Sequence, residues 1–375
     1  MAFVFTADNH LDTRGFREDV PAEDGFWALE QIRDYCLENN LPLVQGGDLF
    51  DKNRPPSWVV NRAMAILAPI KQLYYVQGNH DKDATEPWMN LHASAIRLGL
   101  DPIDVGGHKL CGIDYNPTGV LGDLIAQVPS CDGLVLHQAL RQGLGFEGAW
   151  NWDLEDCDPA RYRNVWIGDL HSEATHWACD QRMRAVYPGS SWMRSIDESP
   201  EPGFLHVHDE LEDGHYVFTR QPLMHRPLVK LQLESDADLL AVLERDSFIE
   251  QLSVDSYPHI PEAFRKPILH VRYYGDIRGV EEAFRELLDS LGGGIYVETV
   301  LPARREILNT VLKIDMGDEA LSLSKLISKT VTDPGALDVR SLALELAACQ
   351  TTGQVQETIA QWRERYLPSE QTTGV

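Results

Sequence analysis

Leu41-Pro42-Leu43-Val44-Gln45-Gly46-Gly47-Asp48-Leu49-Phe50-Asp51 decides the fold. A short apolar run, long enough for one buried strand, stops on two glycines and then delivers a carboxylate. The same pattern recurs on either side. Phe3 to Ala7 runs into Asp8-Asn9-His10, and Gln72 to Gln77 runs into Gly78-Asn79-His80-Asp81. Leu110 to Asp114 is a further strand, Leu134 to His137 ends on a histidine, and Val165 to Gly168 runs into Asp169-Leu170-His171. A helical pattern from about Gly25 to Asn39 separates the first two strands, so the sequence reads as layered α/β. In such sheets ligands bind beyond the carboxyl ends of the strands, which is where these polar residues fall.

The chain has 375 residues, enough for two or three domains. With 43% hydrophobic and 24% charged residues it is neither collagenous, disulfide-dense nor wholly disordered. The net charge of −25 argues against a protein that coats nucleic acid through its general field, but leaves room for a metal enzyme acting on phosphates. Six scattered cysteines without a C-x-x-C read as reduced and buried. The N-terminus lacks a basic signal-peptide region, and no apolar run approaches the roughly 18 residues of a membrane span. These features point to a reducing cytoplasm, with no membrane contact.

From about Leu228 the pattern changes. Leu228 to Leu233, Ile268 to Tyr274 and Ile295 to Leu301 read as strands, with helices at Ala237 to Arg245 and Val280 to Leu291. Gly292-Gly293-Gly294 is a turn between helix and strand. After about Asp318 three short amphipathic helices are expected, punctuated by Asp333-Pro334-Gly335 and Thr351-Thr352-Gly353. Pro55 to Leu67 and Ala84 to Leu98 also look helical. The expected domains are residues 1–225 for the α/β unit, 226–316 for a smaller α+β unit, 317–368 for the C-terminal helices and 369–375 for a frayed tail.

The polar residues at the strand ends carry the chemistry. Carboxylate, imidazole and amide donors together suit Mn, Zn or Fe, whereas all-oxygen sets suit Mg or Ca. Asp8, His10, Asp48, Asn79, His137 and His171 are too many ligands for one ion that keeps an open position. Two ions about 3.5 to 4 Å apart would share a carboxylate and clamp an in-line phosphoryl displacement. Singly, each motif has an ordinary reading: a chance D-x-H, a turn at Gly78, a core histidine at position 137. Their common placement after strands of one α/β unit changes the reading.

The ordered set resembles the calcineurin-like metallophosphoesterases, whose motifs are D-x-H, G-D, G-N-H-D, a lone His and G-H-x-H. Within that superfamily, Gly47-Asp48-Leu49-Phe50-Asp51 with Asn53-Arg54-Pro55-Pro56-Ser57, and Tyr187-Pro188-Gly189-Ser190, resemble the SbcD-type nuclease subunit of double-strand-break repair complexes and its phage relatives. The motif resemblance covers about residues 1–195. It implies a four-layer α/β/β/α sandwich with a capping domain, and metal-dependent exonuclease or endonuclease cleavage of DNA. It further implies a homodimer contact through residues 55–98 and an SMC-like (SbcC-type) ATPase bound by the C-terminal helices. By the same resemblance, Asp8, His10 and His171 would hold one ion, Asp48 would bridge, and Asn79 and His137 would hold the second. Mn is favoured, with Mg, Fe or Zn as other occupants. His80 would steady the phosphate and protonate the leaving oxygen, a role suited to imidazole. Asp51 and Arg54 are candidates for support near the substrate, or else solvated loop charges.

One position departs from the family pattern. Where G-H-x-H is expected, the chain has Gly168-Asp169-Leu170-His171. Either Asp169 completes the second ion's shell, or that site is weakened. His206-Val207-His208 lies out of order and alternates like a strand, so it is read as structural, as is His176. Trp150, Trp152 and Trp192 are read as packing before base stacking. Residues 1–299 carry −23 of the charge, so an isolated subunit is expected to bind DNA poorly and to depend on its ATPase partner. The rival readings are a nucleotide or small-molecule phosphodiesterase with the same metal core, and a weakly active scaffold that recruits the ATPase to DNA ends.

Overall fold

The computed structural model describes residues 2–12, 23–80, 82, 88–116, 120–142, 152–195, 198 and 201–302. The helices expected at 317–368, the tail, Cys349 and Trp150 lie outside them. The chain opens with β1 (Phe3–Thr6), α1 (Glu23–Asn39), β2 (Leu43–Gly46), α2 (Ser57–Leu67), β3 (Leu73–Val76) and β4 (Ala95–Arg97). Next come β5 (Ile103–Val105), β6 (His108–Ile113), α3 (Leu121–Gln127), β7 (Cys131–His137), β8 (Tyr162–Gly168), β9 (Ala174–Ala178) and β10 (Met183–Tyr187). A hairpin of β11 (Gly203–Glu212) and β12 (His215–Pro222) follows. Two six-stranded sheets result, ordered β12-β11-β1-β2-β3-β4 and β5-β6-β7-β8-β10-β9. β1 to β4 are parallel, as are β6, β7, β8 and β10.

Side-chain alternation sets the layers. Phe3 and Phe5 face the second sheet, where their rings lie 5.9 and 6.0 Å from Trp166, among Val44, Val76, Val135 and Val186. Val4, between them, belongs to the cluster with Phe26, Leu29 and Ile32 of α1 and Val59 and Ala63 of α2. On the far side, Leu134, Leu136, Val165 and Ile167 pack with Leu121 and Ile125 of α3. The architecture is a four-layer α/β/β/α sandwich. Both faces of each sheet are covered, so the strands read as unbroken apolar runs.

α1 begins on Glu23 and Asp24, whose charges complement the helix dipole, and Asp24 also makes a buried 2.8 Å ion pair with Arg226. It ends where Asn40 turns to φ 52° and Leu41 N–H donates to Cys36 O. The later elements are β13 (Leu228–Leu233), α4 (Asp236–Leu243), α5 (Asp246–Leu252), β14 (Ile268–Tyr274), α6 (Val280–Ser290) and β15 (Ile295–Leu301), with β14 central in a three-stranded sheet. The described residues divide into two compact units. One comprises the described residues of Met1–Leu231, Arg245–His270 and Glu281–Val297; the other comprises Gln232–Glu244, Val271–Val280 and the described residues from Glu298 to Pro302. In the second unit Tyr273 Oη donates to Glu298 Oε2 at 2.9 Å, and Ser235 caps α4 through Asp238 N–H.

Some sequence expectations need correcting. In the described part of Ala84 to Leu98 the helix is replaced by a single 3-10 turn at Trp88–Leu91 and by β4, because Ala95 to Arg97 add to the open edge of β3. Cys131 and Cys179 are half-buried, although the described cysteines are all free thiols. Trp152 and Trp192 are buried, and Trp192 Nε1 donates to Asn9 O at 2.7 Å, so neither ring offers a stacking face.

Candidate metal centre

The carboxyl ends of β1, β2 and β3 in one sheet and of β7 and β8 in the other meet at one rim. The loop after β1 is strapped to the loop after β2 by Asp8 N–H to Gly47 O (3.1 Å), His10 N–H to Asp48 O (2.9 Å) and Leu11 N–H to Leu49 O (2.9 Å). The second sheet joins through Asp169 N–H, which donates to both oxygens of Asp8 at 3.1 and 3.0 Å. Asp8, His10, Asp48 and Asp169 have φ of 52°, 41°, 56° and 101°. Left-handed backbone at non-glycine residues costs about 1–3 kcal/mol each and persists where surrounding contacts enforce it. Glycine makes room for the close approach. A β-carbon at Gly47, itself at φ 99°, would overlap His137 Nδ1, and one at Gly78 would overlap the Asp48 carboxylate.

Asp8, His10, Asp48 and His137 are buried. Among the described residues, three groups of side chains have ligand atoms within 4.8 Å of one another: Asp8, His10 and His171; Asp8, Asp48 and His137; and His10, Asp48 and His80. His137 Nδ1–H donates to Gly46 O at 2.8 Å. Its Nε2 therefore faces oxygens: Asn79 Oδ1 at 3.1 Å, Asp48 Oδ2 at 3.2 Å and Asp169 Oδ1 at 3.8 Å. His10 Nδ1–H is held by Asp51 Oδ1 at 3.1 Å, and its Nε2 faces Asp48 Oδ2 at 3.5 Å and Asp8 Oδ1 at 3.8 Å. That Nε2 is buried without a hydrogen-bond partner. A buried ring nitrogen with no partner, ringed by carboxylate oxygens, fits a divalent cation bound by mixed nitrogen and oxygen donors.

The electrostatics agree. Burial pushes Asp8 and Asp48 up, but the neighbouring His10, His137 and His171 imidazoles around Asp8, and the charge and hydrogen bond of His137 together with His10 at Asp48, hold both below the ordinary carboxylate range. His137 moves the other way. Burial lowers it, and Asp48, Asp8 and Asp169 overcome that to raise it to about 10. Asp169 is raised by burial and by its neighbours Asp8 and Asp48.

The remaining sequence candidates sit around this cluster. His80 is 44% exposed; its Nδ1–H donates to Asp51 O at 2.9 Å, and its backbone N–H donates to Asp48 Oδ1 at 2.9 Å. Asn79 is exposed, with its Oδ1 turned to His137. Asp169 lies beside His137 but outside the three close-set groups. His171 is partly exposed, with Nε2 3.8 Å from Asp8 Oδ1. Asp51 points inward, its Oδ1 shared between His10 and Arg194 Nη1 at 3.3 Å. Arg54 is exposed and makes no ion pair among the described residues.

Two residues were missed. Glu198 Oε1 accepts from His171 Nδ1 at 3.0 Å, the counterpart of Asp51 on His10, and is held below the ordinary glutamate range, burial notwithstanding, by His171 and Arg194. Arg194 spans the two supports, with Nη1 on Asp51 and Nη2 3.2 Å from Glu198 Oε1 and 2.8 Å from His171 Nδ1. The one local signal was the i, i+4 spacing of Arg194 and Glu198, soon after Tyr187-Pro188-Gly189-Ser190.

Residues 1–239 match the family model described as calcineurin-like phosphoesterase. The DNA double-strand break repair protein Mre11 of Methanosarcina acetivorans is 28% identical over 217 residues, covering 52% of this chain and 34% of that protein. The Mre11 of Sulfolobus acidocaldarius is 22% identical over 351 residues, covering 84% of this chain and 86% of that one. For the Mre11 of Saccharolobus solfataricus the identity is 23% over 312 residues, with 75% and 77% covered. The matched part thus spans about a third of the Methanosarcina protein and most of the other two. With this match over more than half of its length, on the fold and rim of polar residues described above, the chain belongs to the calcineurin-like phosphoesterase family.

Proposed function

We propose that this chain is a metal-dependent DNA nuclease, the nuclease subunit of an SbcCD-like repair complex. The observation that carries the phosphodiesterase part is the buried ring of Asp8, His10, Asp48 and His137 around a partnerless imidazole nitrogen. DNA as substrate is supported by the Mre11 relatives. Asp8, His10 and His171 would hold one ion, Asn79, His137 and Asp169 the other, and Asp48 would serve both. Two divalent ions, Mn first among Mn, Mg, Fe and Zn for this donor set, would supply Lewis acidity to the phosphoryl oxygens and lower the pKa of water. His80 acts from the exposed side. With Nδ1–H given to Asp51 O, its Nε2 faces the substrate side and, in the imidazolium form, would pass its proton to the leaving oxygen. Asp51 would orient His10 through its 3.1 Å contact, and exposed Arg54 would meet substrate from solvent.

The partner ATPase is assigned to residues 317–368 on the family resemblance alone. Homodimerisation is supported by Trp58, Leu91 and Ile96, large apolar residues 54%, 61% and 44% exposed on α2 and the segment that follows β3. Free thiols suit a reducing cytoplasm, and no helix among the described residues is long and apolar enough to cross a membrane.

The test is hydrolysis of linear DNA, bis-p-nitrophenyl phosphate and cyclic nucleotides with Mn, Mg or chelator. Asp48→Ala should lose bound metal and activity together, whereas His80→Ala should bind metal and lose turnover by about 10²- to 10⁴-fold. Cleavage confined to small diesters, with the ATPase supplied, would replace DNA by nucleotides as the substrate class. Metal loss in His80→Ala would make it a ligand, as its grouping with His10 and Asp48 permits.

A further inference from the structure

At the rim opposite the metal centre, the amino ends of β7 and β8 and the turns before β10 and β12 enclose an open cleft of about 620 Å³. In a chain of net charge −25, this cleft is lined by Lys109, Arg161, Arg163 and Arg182 against only Asp132 and Asp213. The strand register explains the grouping. Leu110 pairs with Gly133 and Gly133 with Asn164, so the preceding residues Lys109, Asp132 and Arg163 stand side by side across β6, β7 and β8. At about 4.8 Å between strands, Lys109 and Arg163 are roughly 10 Å apart.

The acidic residues do not cancel this charge. Asp132 accepts Lys109 N–H at 2.9 Å and lies 3.6 Å from Arg163 Nε. Arg161 and Arg182 form no ion pair among the described residues: Arg161 Nη1 donates to Ala126 O at 2.9 Å and the guanidinium also meets Tyr162, while Arg182 Nε donates to Cys179 O at 3.0 Å. Those bonds fix the two guanidinium groups and leave their other N–H donors for a ligand. Lys109 Nζ has no ion-pair partner among the described residues. Fixed guanidinium forks with a free ammonium match phosphate oxygens.

We propose that this cleft is a phosphate-binding site, for phosphates carried by a nucleic-acid strand or by a free nucleoside triphosphate. It is separate from the scissile position: seven residues of β7 run from Cys131 at the cleft to His137, about 20 Å at the rise of a strand. With about three phosphate contacts it is a weak anchor, compatible with an acidic subunit that binds DNA poorly alone.

The test is fluorescence anisotropy of a labelled single-stranded oligonucleotide, using the full chain with Asp48→Ala in chelator so that the metal centre does not contribute. Low-salt binding should fall by about −2 in log affinity per log salt, the slope for three contacts to a single strand. It should weaken at least about tenfold when Lys109→Glu and Arg182→Glu, both at exposed positions, are added. Competition by ATP or tripolyphosphate assigns the site to free polyphosphate; competition by unlabelled strand alone assigns it to nucleic acid. Undiminished binding of both ligands in the charge-reversed protein, or no binding of either by its parent, overturns the proposal. Mn-dependent hydrolysis of bis-p-nitrophenyl phosphate by Lys109→Glu, Arg182→Glu with Asp48 intact should be unchanged, so the cleft and the nuclease reading fail separately.

Discussion

Arg194 illustrates how a residue acts here through others. Both of its terminal nitrogens are engaged, Nη1 by Asp51 and Nη2 by Glu198 and by the His171 ring itself, so it braces the groups that aim His10 and His171. Partners of this kind fix the tautomer and ring angle of a ligating histidine, and their loss typically costs 10- to 100-fold in metal affinity. Glu198→Gln and Arg194→Ala should each weaken Mn binding by about that factor in calorimetric titration. Unchanged affinity in both would reduce the network to an ordinary surface ion pair. The ligand candidates were legible as residues because each follows an apolar run by one to three positions. Their supports were not, since Glu198 meets His171 from 27 positions away with no repeat or period to mark it.

At the scale of elements, the parallel strands set the site and Trp166 sets the spacing between sheets. Trp166 is fully buried against Phe3, Phe5 and Phe218. Trp166→Ala should destabilise the protein by about 3–5 kcal/mol in denaturant melts, since a cavity between two covered sheets has little means to collapse. α2 contributes differently, burying Val59, Val60 and Ala63 while leaving Trp58 outside. If that surface joins two copies, Trp58→Glu with Leu91→Glu should convert a dimer to a monomer in analytical ultracentrifugation while Mn binding is retained. A dimer that survives both changes would exclude this surface. The segment after β3 shows the limit of periodicity: Ala95 to Arg97 carry a helical pattern, yet an open strand edge with unpaired N–H and C=O groups captured them.

For the whole molecule, metal binding and stability are linked through pH. His10 and His137 have folded pKa values raised above the ordinary imidazole value of 6.5, His137 to about 10. Their contribution to stability is fully present below about pH 6.5 and is lost as pH rises toward 10. A divalent cation takes neutral imidazole and so gains over the proton across the same range. In chelator the melting temperature should therefore fall from pH 6.5 to 9, and the gain on adding Mn should grow over that interval. A gain independent of pH would mean that these histidines are not ligands.

The sequence by itself determined the layered α/β fold, the positions of the polar residues at strand ends and, through their order, the family. These are local properties: an apolar run fixes a strand, and a glycine followed by Asp, Asn or His fixes a turn. Only the tertiary structure decided which of those ends share a rim, because Asp8, Asp48 and His137 are brought together by pairing and stacking of strands, not by spacing along the chain. It also decided the contacts of Asp51, Glu198 and Arg194 and the grouping of Lys109, Arg161, Arg163 and Arg182 around one cleft. Each depends on which long side chain reaches which neighbour across two sheets, and that distance is absent from a linear sequence.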